Sequence, residues 1–237
     1  FMKTFKVNFF PPLLEPIFYL VALGYGLGQF VQPIEGQRYI QFIAPALVSI
    51  SIMYGSFFEC TYGSFVRMYF QKTFDAIITT PVNIEEVIAG EMLWGATRSL
   101  ISSSIVLAVV AAFGLIASPL FVLIPFVAFF AGLMFSSIAM CFTSLAPNID
   151  FFNYPAFLFI TPMFLLSGTF FPLTDLPEFI QLVAKAFFPL THTVSITRGL
   201  LLGNLEQSPM LSLFWIGAVT IVFFVLSINL MRRKLIK

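Results

Sequence analysis

Few residues of this 237-residue chain could make or break a bond. His192 is its only histidine, and Ser167 is the hydroxyl that could use it as a general base. No Gly-x-Ser-x-Gly elbow surrounds Ser167, no third residue orients His192, and Ser167-Gly168 reads better as a helix end, so an intramembrane serine hydrolase is the weakest alternative. Cys60 and Cys141 lack Cys-x-x-Cys spacing and a histidine partner, which points to packed thiols rather than a disulfide or a metal site. No G-x-x-x-x-G-K-S/T sequence occurs, so the chain does not itself hydrolyse ATP through a phosphate-binding loop. What remains is ionic. Glu91 and Arg98 share a helical face seven residues apart, and Glu59 is expected to pair with Arg98. Such a cluster either supports a gate or merely satisfies interfacial charges.

The elements that must position these side chains are apolar. Hydrophobic residues make up 59% and charged residues 10%, with mean hydropathy +0.98. A soluble domain carries about a quarter charged residues. Six blocks of about twenty apolar residues predict an all-α membrane protein with spans near 13–30, 39–58, 84–113, 120–142, 152–171 and 210–230. Pro11-Pro12 precedes the first span, the polar stretch Gln32 to Arg38 joins the first two, and Gly114 to Pro119 turns between the third and fourth. Asn83 with Glu86 predicts a capping box on the third helix, and Ser208-Pro209 opens the sixth. A helix from Ile84 to Phe113 is roughly 45 Å long, so it must begin outside the lipid. With so little chain outside the spans, residues 1–237 read as one membrane domain. The chain opens on Phe1 without a cleavage site, so a few N-terminal residues are expected to be missing.

Charge sets the expected orientation. Lys3, Lys6, Arg67, Lys72, Arg98, Arg232, Arg233, Lys234 and Lys237 fall on one side, against Arg38, Lys185 and Arg198 on the other. The excess places both termini in the cytoplasm of a multi-pass inner-membrane protein. Arg232 to Lys237 abuts a span and reads as an anchor, not a nucleic-acid surface. No carboxylate or histidine falls at a predicted bilayer centre, which argues against a proton- or sodium-coupled secondary transporter.

Two intervening segments are patterned. From Tyr62 to Asn83, Phe65, Met68, Tyr69, Phe74, Ile77 and Ile78 recur near helical spacing against Arg67, Gln71, Lys72 and Asp75. This predicts a short amphipathic helix that either rests in the headgroups or docks a cytoplasmic partner. From Phe171 to Pro209, two pieces are expected, Pro177 to Phe188 and His192 to Leu202, broken at Pro189 and closed by Gly203 and Asn204. Neither spans about 30 Å, so each must lie at or dip into the outer leaflet.

The stretch LSGTFFPLTDLPEFIQLVAKAFFPLTHTVSITRGLLLG, Leu166 to Gly203, resembles the signature region of type-2 permeases of ATP-binding-cassette exporters. Upstream, EPIFYLVALGYGLG from Glu15, FIAPAL from Phe42, FFECTYGSFVRM from Phe57 and FQKTFDAIITTPVNIEEVIAGEMLWGATRSL from Phe70 are similar to the branch containing nodulation lipochitooligosaccharide exporters. The family's opening amphipathic helix is represented only by Phe1 to Phe10.

The resemblance implies roles. Arg67 to Pro81 would be the coupling element seated in the ATPase subunit, with Phe70, Thr73, Phe74 and Asp75 as contacts and Pro81 ending the rod. Glu85, Glu86 and Glu91 either add acidic contacts or stabilise a helix N-terminus. Glu59, Glu91 and Arg98, grouped by their spacing and not by the resemblance, either support the cytoplasmic gate or only satisfy interfacial charges. Ser167, Gly168, Phe171, Pro172, Pro177, Pro189, Arg198 and Gly199 would belong to a re-entrant exit gate. No cofactor is expected on this chain; ATP and Mg2+ would sit on the partner ATPase. The expected assembly is two permeases with two ATPase subunits in membrane lipid. Its permease interface, or else packing within each permease, would use Gly24 with Gly28, Ser51 with Gly55, Gly95 with Ser99 and Ser103, and Gly132 with Ser136. The 32 phenylalanines either line a path for sugar rings or acyl chains or face lipid, and the cargo implied is a lipid-linked oligosaccharide, glycolipid, polysaccharide or hydrophobic drug.

Overall fold

The computed structural model describes residues 14, 16–34, 36–203 and 209–235, with Ile78 described by its backbone alone. The expectations resting on Phe1 to Phe10, Pro11-Pro12, Glu15, Asn204, Ser208 and Lys237 lie outside these residues. Every regular element among them is helical. We number the helices α1 (16–29), α2 (Tyr39–Phe70), α3 (Thr73–Ile78), α4 (Ile84–Ala112), α5 (Pro119–Leu145), α6 (Ile149–Leu166), α7 (Glu178–Phe187), α8 (Pro189–Leu202) and α9 (Pro209–Leu235). Five of them, α2, α4, α5, α6 and α9, are long and apolar enough to cross a membrane, and α7 with α8 forms a pair bent by 89°. The described part of the expected first span, α1, is helical but short, and it passes through a π segment at Leu20–Gly26.

Local chemistry fixes the ends. The Glu86 carboxylate accepts from the Asn83 N–H at 3.0 Å, the expected capping box at the start of α4. Ser118 Oγ accepts from the Leu120 N–H at 3.2 Å, and Pro119 follows where its missing donor is harmless. The span expected at 152–171 instead ends at Leu166, where Gly168 turns the chain at φ +73°. Pro155 and Pro162 remove backbone donors from α6, and between them the helix adopts a π segment, Ala156–Ile160.

α5 is the centre of the bundle, packed against α4, α9 and α2. The apolar window of α2 is 78% buried, whereas that of α9 is 17% buried, so α9 leaves most of its surface outside the bundle. Small residues make the close approaches, and they do so inside one chain. Gly55 faces Ser99 and Ser102 of α4, Gly95 faces Ser136 and Cys60, and Gly132 faces Ser99 and Ala96. Gly24 and Gly28 of α1 meet Ile40 and Tyr39. Each of these glycines therefore packs within the chain. Hydroxyls add interhelical bonds: Ser99 Oγ donates to the Ala128 carbonyl at 3.0 Å, and Thr143 Oγ1 to the Cys60 carbonyl at 2.7 Å.

A methyl group on Gly132 would lie 2.9 Å from Ser99 Cβ and 3.2 Å from Ala96 Cα, so the two helices must separate. Gly132→Ala is expected to destabilise the bundle by about 1–3 kcal/mol, read as a lower unfolding temperature in detergent. Gly217→Ala, where nothing lies within 4 Å, should leave that temperature unchanged or raised.

Candidate functional site

Two assemblies stand at opposite ends of the bundle. The first is ionic and lies at the α3 end. α2 continues past Phe58 through π segments at Glu59–Gly63 and Val66–Phe70. In an α-helix, residues seven apart nearly share a face, whereas residues eight apart diverge. A π turn absorbs one extra residue, so Glu59 and Arg67 point the same way. Arg67 Nη1 donates to Glu59 Oε1 at 2.8 Å, while its Nε and Nη2 grip Glu91 of α4 at 3.0 and 2.6 Å. Trp94 Nε1 donates to Glu59 Oε1 at 2.9 Å and Ser64 Oγ to Glu91 Oε2 at 2.5 Å. Arg98 Nε lies 3.5 Å from Glu59 Oε2, the expected pair, although it is the loosest contact of the four ions. Side-chain exposures of 24% for Arg67, 16% for Glu59 and 14% for Glu91 put this network largely out of solvent.

The expected single lever from Arg67 to Pro81 is thereby divided. Arg67 belongs to α2 and is spent on the ion network; the separate helix is only Thr73–Ile78. Lys72 forms the corner at φ +52°. Phe74 is 1% exposed and anchors α3 to its own bundle, so it presents no surface to a partner. Phe70, 68% exposed, and Asp75 do face outward; Thr73 is half-buried, and Pro81 is exposed in the turn before α4. Glu85 is exposed beside Arg232, with 3.2 Å between their charged atoms. The basic end of α9 is not wholly a free anchor either. Lys234 Nζ donates to the Thr143 and Ala146 carbonyls at 3.0 and 2.7 Å, neutralising the C-terminal end of α5.

Sequence reasoning missed Ser64 and Trp94. Trp94 lies three residues after Glu91, on the same helical face, and that spacing was the available signal. For Ser64 there was none, because its orientation depends on the π turn.

The second assembly is the bent α7–α8 pair. Pro177 precedes α7 and Pro189 occupies the first turn of α8, which begins there rather than at His192. Arg198 Nη2 donates to the Gly168 carbonyl at 2.8 Å, and its guanidinium lies 3.9 Å from the centre of the Phe42 ring. The cation thus ties α8 to the end of α6 and the start of α2. His192 stacks on Trp215 at 4.4 Å, with Nδ1 3.2 Å from Ser212 Oγ and Nε2 donating to the Lys185 carbonyl at 2.9 Å. Both nitrogens are engaged away from Ser167, whose buried hydroxyl has no hydrogen-bond partner among the described residues. The nucleophile and base of a serine hydrolase are not brought together. Gly199 is buried in α8, and its carbonyl accepts from Gly203, which closes the helix at φ +83°. Phe171 and Pro172 line a recess beside Tyr39.

Among the described residues no three His, Cys, Asp or Glu side chains gather as a metal site. Among the described residues the arrangement holds helices together and offers surfaces.

The ABC-2 type transporter family model matches residues 1–202. Nodulation protein J of Rhizobium meliloti strain 1021 is 38% identical over 229 residues, covering 94% of this chain and 85% of the relative. Nodulation protein J of Sinorhizobium fredii strain NGR234 is 33% identical over 94% and 85% of the two chains. The inner membrane transport permease YadH of Escherichia coli K12 is 26% identical over 95% and 87%. No solved structure matches. An all-α chain with five membrane-length helices, a bent helix pair and this full-length similarity belongs to the ABC-2 type transporter family, as a membrane subunit that works with an ATP-binding-cassette ATPase.

Proposed function

We propose that two copies of this permease combine with two ATPase subunits to export an amphipathic substrate from the cytoplasm across a bacterial inner membrane, driven by ATP hydrolysed on the partner. A lipid-linked saccharide or related glycolipid is the favoured cargo. The resemblance to nodulation lipochitooligosaccharide exporters supports that class, as does the similarity to proteins named for nodulation.

One observation carries the reading: α3 is anchored inward by Phe74 and exposes Phe70 and Asp75 beside it, at the end where Arg67 ties α2 to α4. A push on that surface reaches two spans through one guanidinium. Glu59 and Glu91 are held by Arg67, Trp94 and Ser64 rather than offered to a migrating ion, which favours this reading over a secondary transporter. In the proposed cycle ATP closes the partner subunits, α3 moves, the spans tilt, and the α7–α8 pair held by Arg198 opens outward.

Reconstitution in sealed vesicles tests it. With the ATPase present, a fluorescent lipid-linked oligosaccharide should accumulate against its gradient only when ATP is supplied, and a substitution of the ATPase's phosphate-loop lysine should stop it. Uphill movement by the permease without any ATPase would refute the proposal.

A further inference from the structure

A half-open groove of about 320 Å³ runs between α1, α2 and α4, within the roughly 300–1,000 Å³ of small-molecule sites. Its walls are mostly aliphatic and aromatic, including Tyr19, Leu47, Ile50 and Tyr54, with Ser51 and Ser102 among them. Glu59 and Arg98 also line it.

The two ions are not equivalent. Glu59 Oε1 already accepts from Arg67 and Trp94. Of the four ions Arg98 has the most exposed side chain, at 35%, and its one ionic contact is the 3.5 Å approach of Nε to Glu59. Among the described residues its terminal nitrogens meet no hydrogen-bond acceptor, although a guanidinium presents five donors suited to a bidentate anion. The position lies near a membrane boundary. Arg98 precedes Ala112 by 14 residues, about 21 Å along the helix, so a hydrocarbon core of about 30 Å measured from that end leaves the Arg98 Cα about 9 Å inside the other boundary, and a side chain leaning toward the helix N-terminus carries its guanidinium towards the headgroups. A cation there is met by an anion or by water. The bilayer is the densest source of anions that carry an apolar tail.

We propose that this groove holds an anionic phospholipid of the surrounding bilayer, its phosphate paired with Arg98 and one acyl chain lying along Leu47, Ile50 and Tyr54. Charge complementarity selects the head and the apolar wall selects the tail. The site is independent of the export reading, since a resident lipid requires no turnover.

Native mass spectrometry of the purified full chain tests this after exchange into micelles carrying phosphatidylglycerol or phosphatidylcholine with identical acyl chains. The wild type should retain phosphatidylglycerol at least 10-fold over phosphatidylcholine. Arg98→Gln should remove that preference, and Arg98→Lys should restore part of it. Ser51→Phe, which fills the groove without touching an ion, should lower retention of both lipids; each variant is compared at wild-type size-exclusion elution. Undiminished preference in Arg98→Gln, or equal retention of the two lipids by the wild type, overturns the proposal. So does displacement by inorganic phosphate alone, which would leave the tail unread. Release of bound phosphatidylglycerol to the far side during ATP-driven turnover of the full complex would make the occupant cargo and overturn the resident assignment.

Discussion

Replacing Arg67 by methionine is expected to destabilise the permease by about 3 kcal/mol, because two carboxylates then lose their shared cation in a site largely out of solvent. Thermal unfolding in detergent, followed by tryptophan fluorescence, measures the loss. Glu59 would keep Trp94 and the distant Arg98, and Glu91 would keep Ser64, so neither carboxylate is fully compensated. The triple variant Arg67→Met, Glu91→Met, Glu59→Gln should recover most of the stability, since an apolar replacement of the buried Arg67–Glu91 pair is often neutral or better and the amide oxygen at position 59 can still accept from Trp94 and Arg98. Export should not recover with it. If the network transmits force between α2 and α4, a stable but strutless bundle separates nucleotide hydrolysis from transport. A single Arg67→Met variant whose unfolding temperature matches wild type would show that the ions carry no structural weight.

The second large effect concerns the surface that α3 presents. Phe70→Ala with Asp75→Ala is expected to lower permease-stimulated ATPase activity at least 10-fold while membrane insertion and unfolding temperature stay near wild type. Both side chains are exposed, so their removal opens no cavity. Phe74→Ala is the contrasting case. Its ring is buried, and truncation should cost about 3–5 kcal/mol, so any loss of coupling there reports a loosened anchor rather than a lost contact. Comparing the two variants in the reconstituted complex divides docking from anchoring. Full stimulation by the exposed-pair variant would remove α3 from the coupling path.

The division between these two predictions was not visible in the residue pattern. The resemblance groups Phe70, Phe74 and Asp75 as contacts of one lever, and the corner at Lys72 places Phe74 inward while Phe70 and Asp75 remain outside. The resemblance assigns Arg67 to the same lever, beyond a second span expected to end near Phe58. The chain instead stays helical there by widening its turns, and that widening swings Arg67 towards Glu59 and Glu91. The capping box at Asn83 was legible because it is local: three residues of spacing suffice to define it.

By itself the sequence determined the spans α2, α4, α5, α6 and α9, the bent pair between the last two, the Glu59–Arg98 pair and the family. Each follows from apolar run length, punctuation, short-range spacing or extended similarity. Only the tertiary structure decided which small residues pack within the chain, which face of α3 is buried, and which cation holds Glu91. The reason is physical. In a bilayer the lipid-facing and protein-facing sides of a helix are both apolar, so hydropathy locates a span without orienting it. Wide helical turns then shift the register that any fixed period assumes.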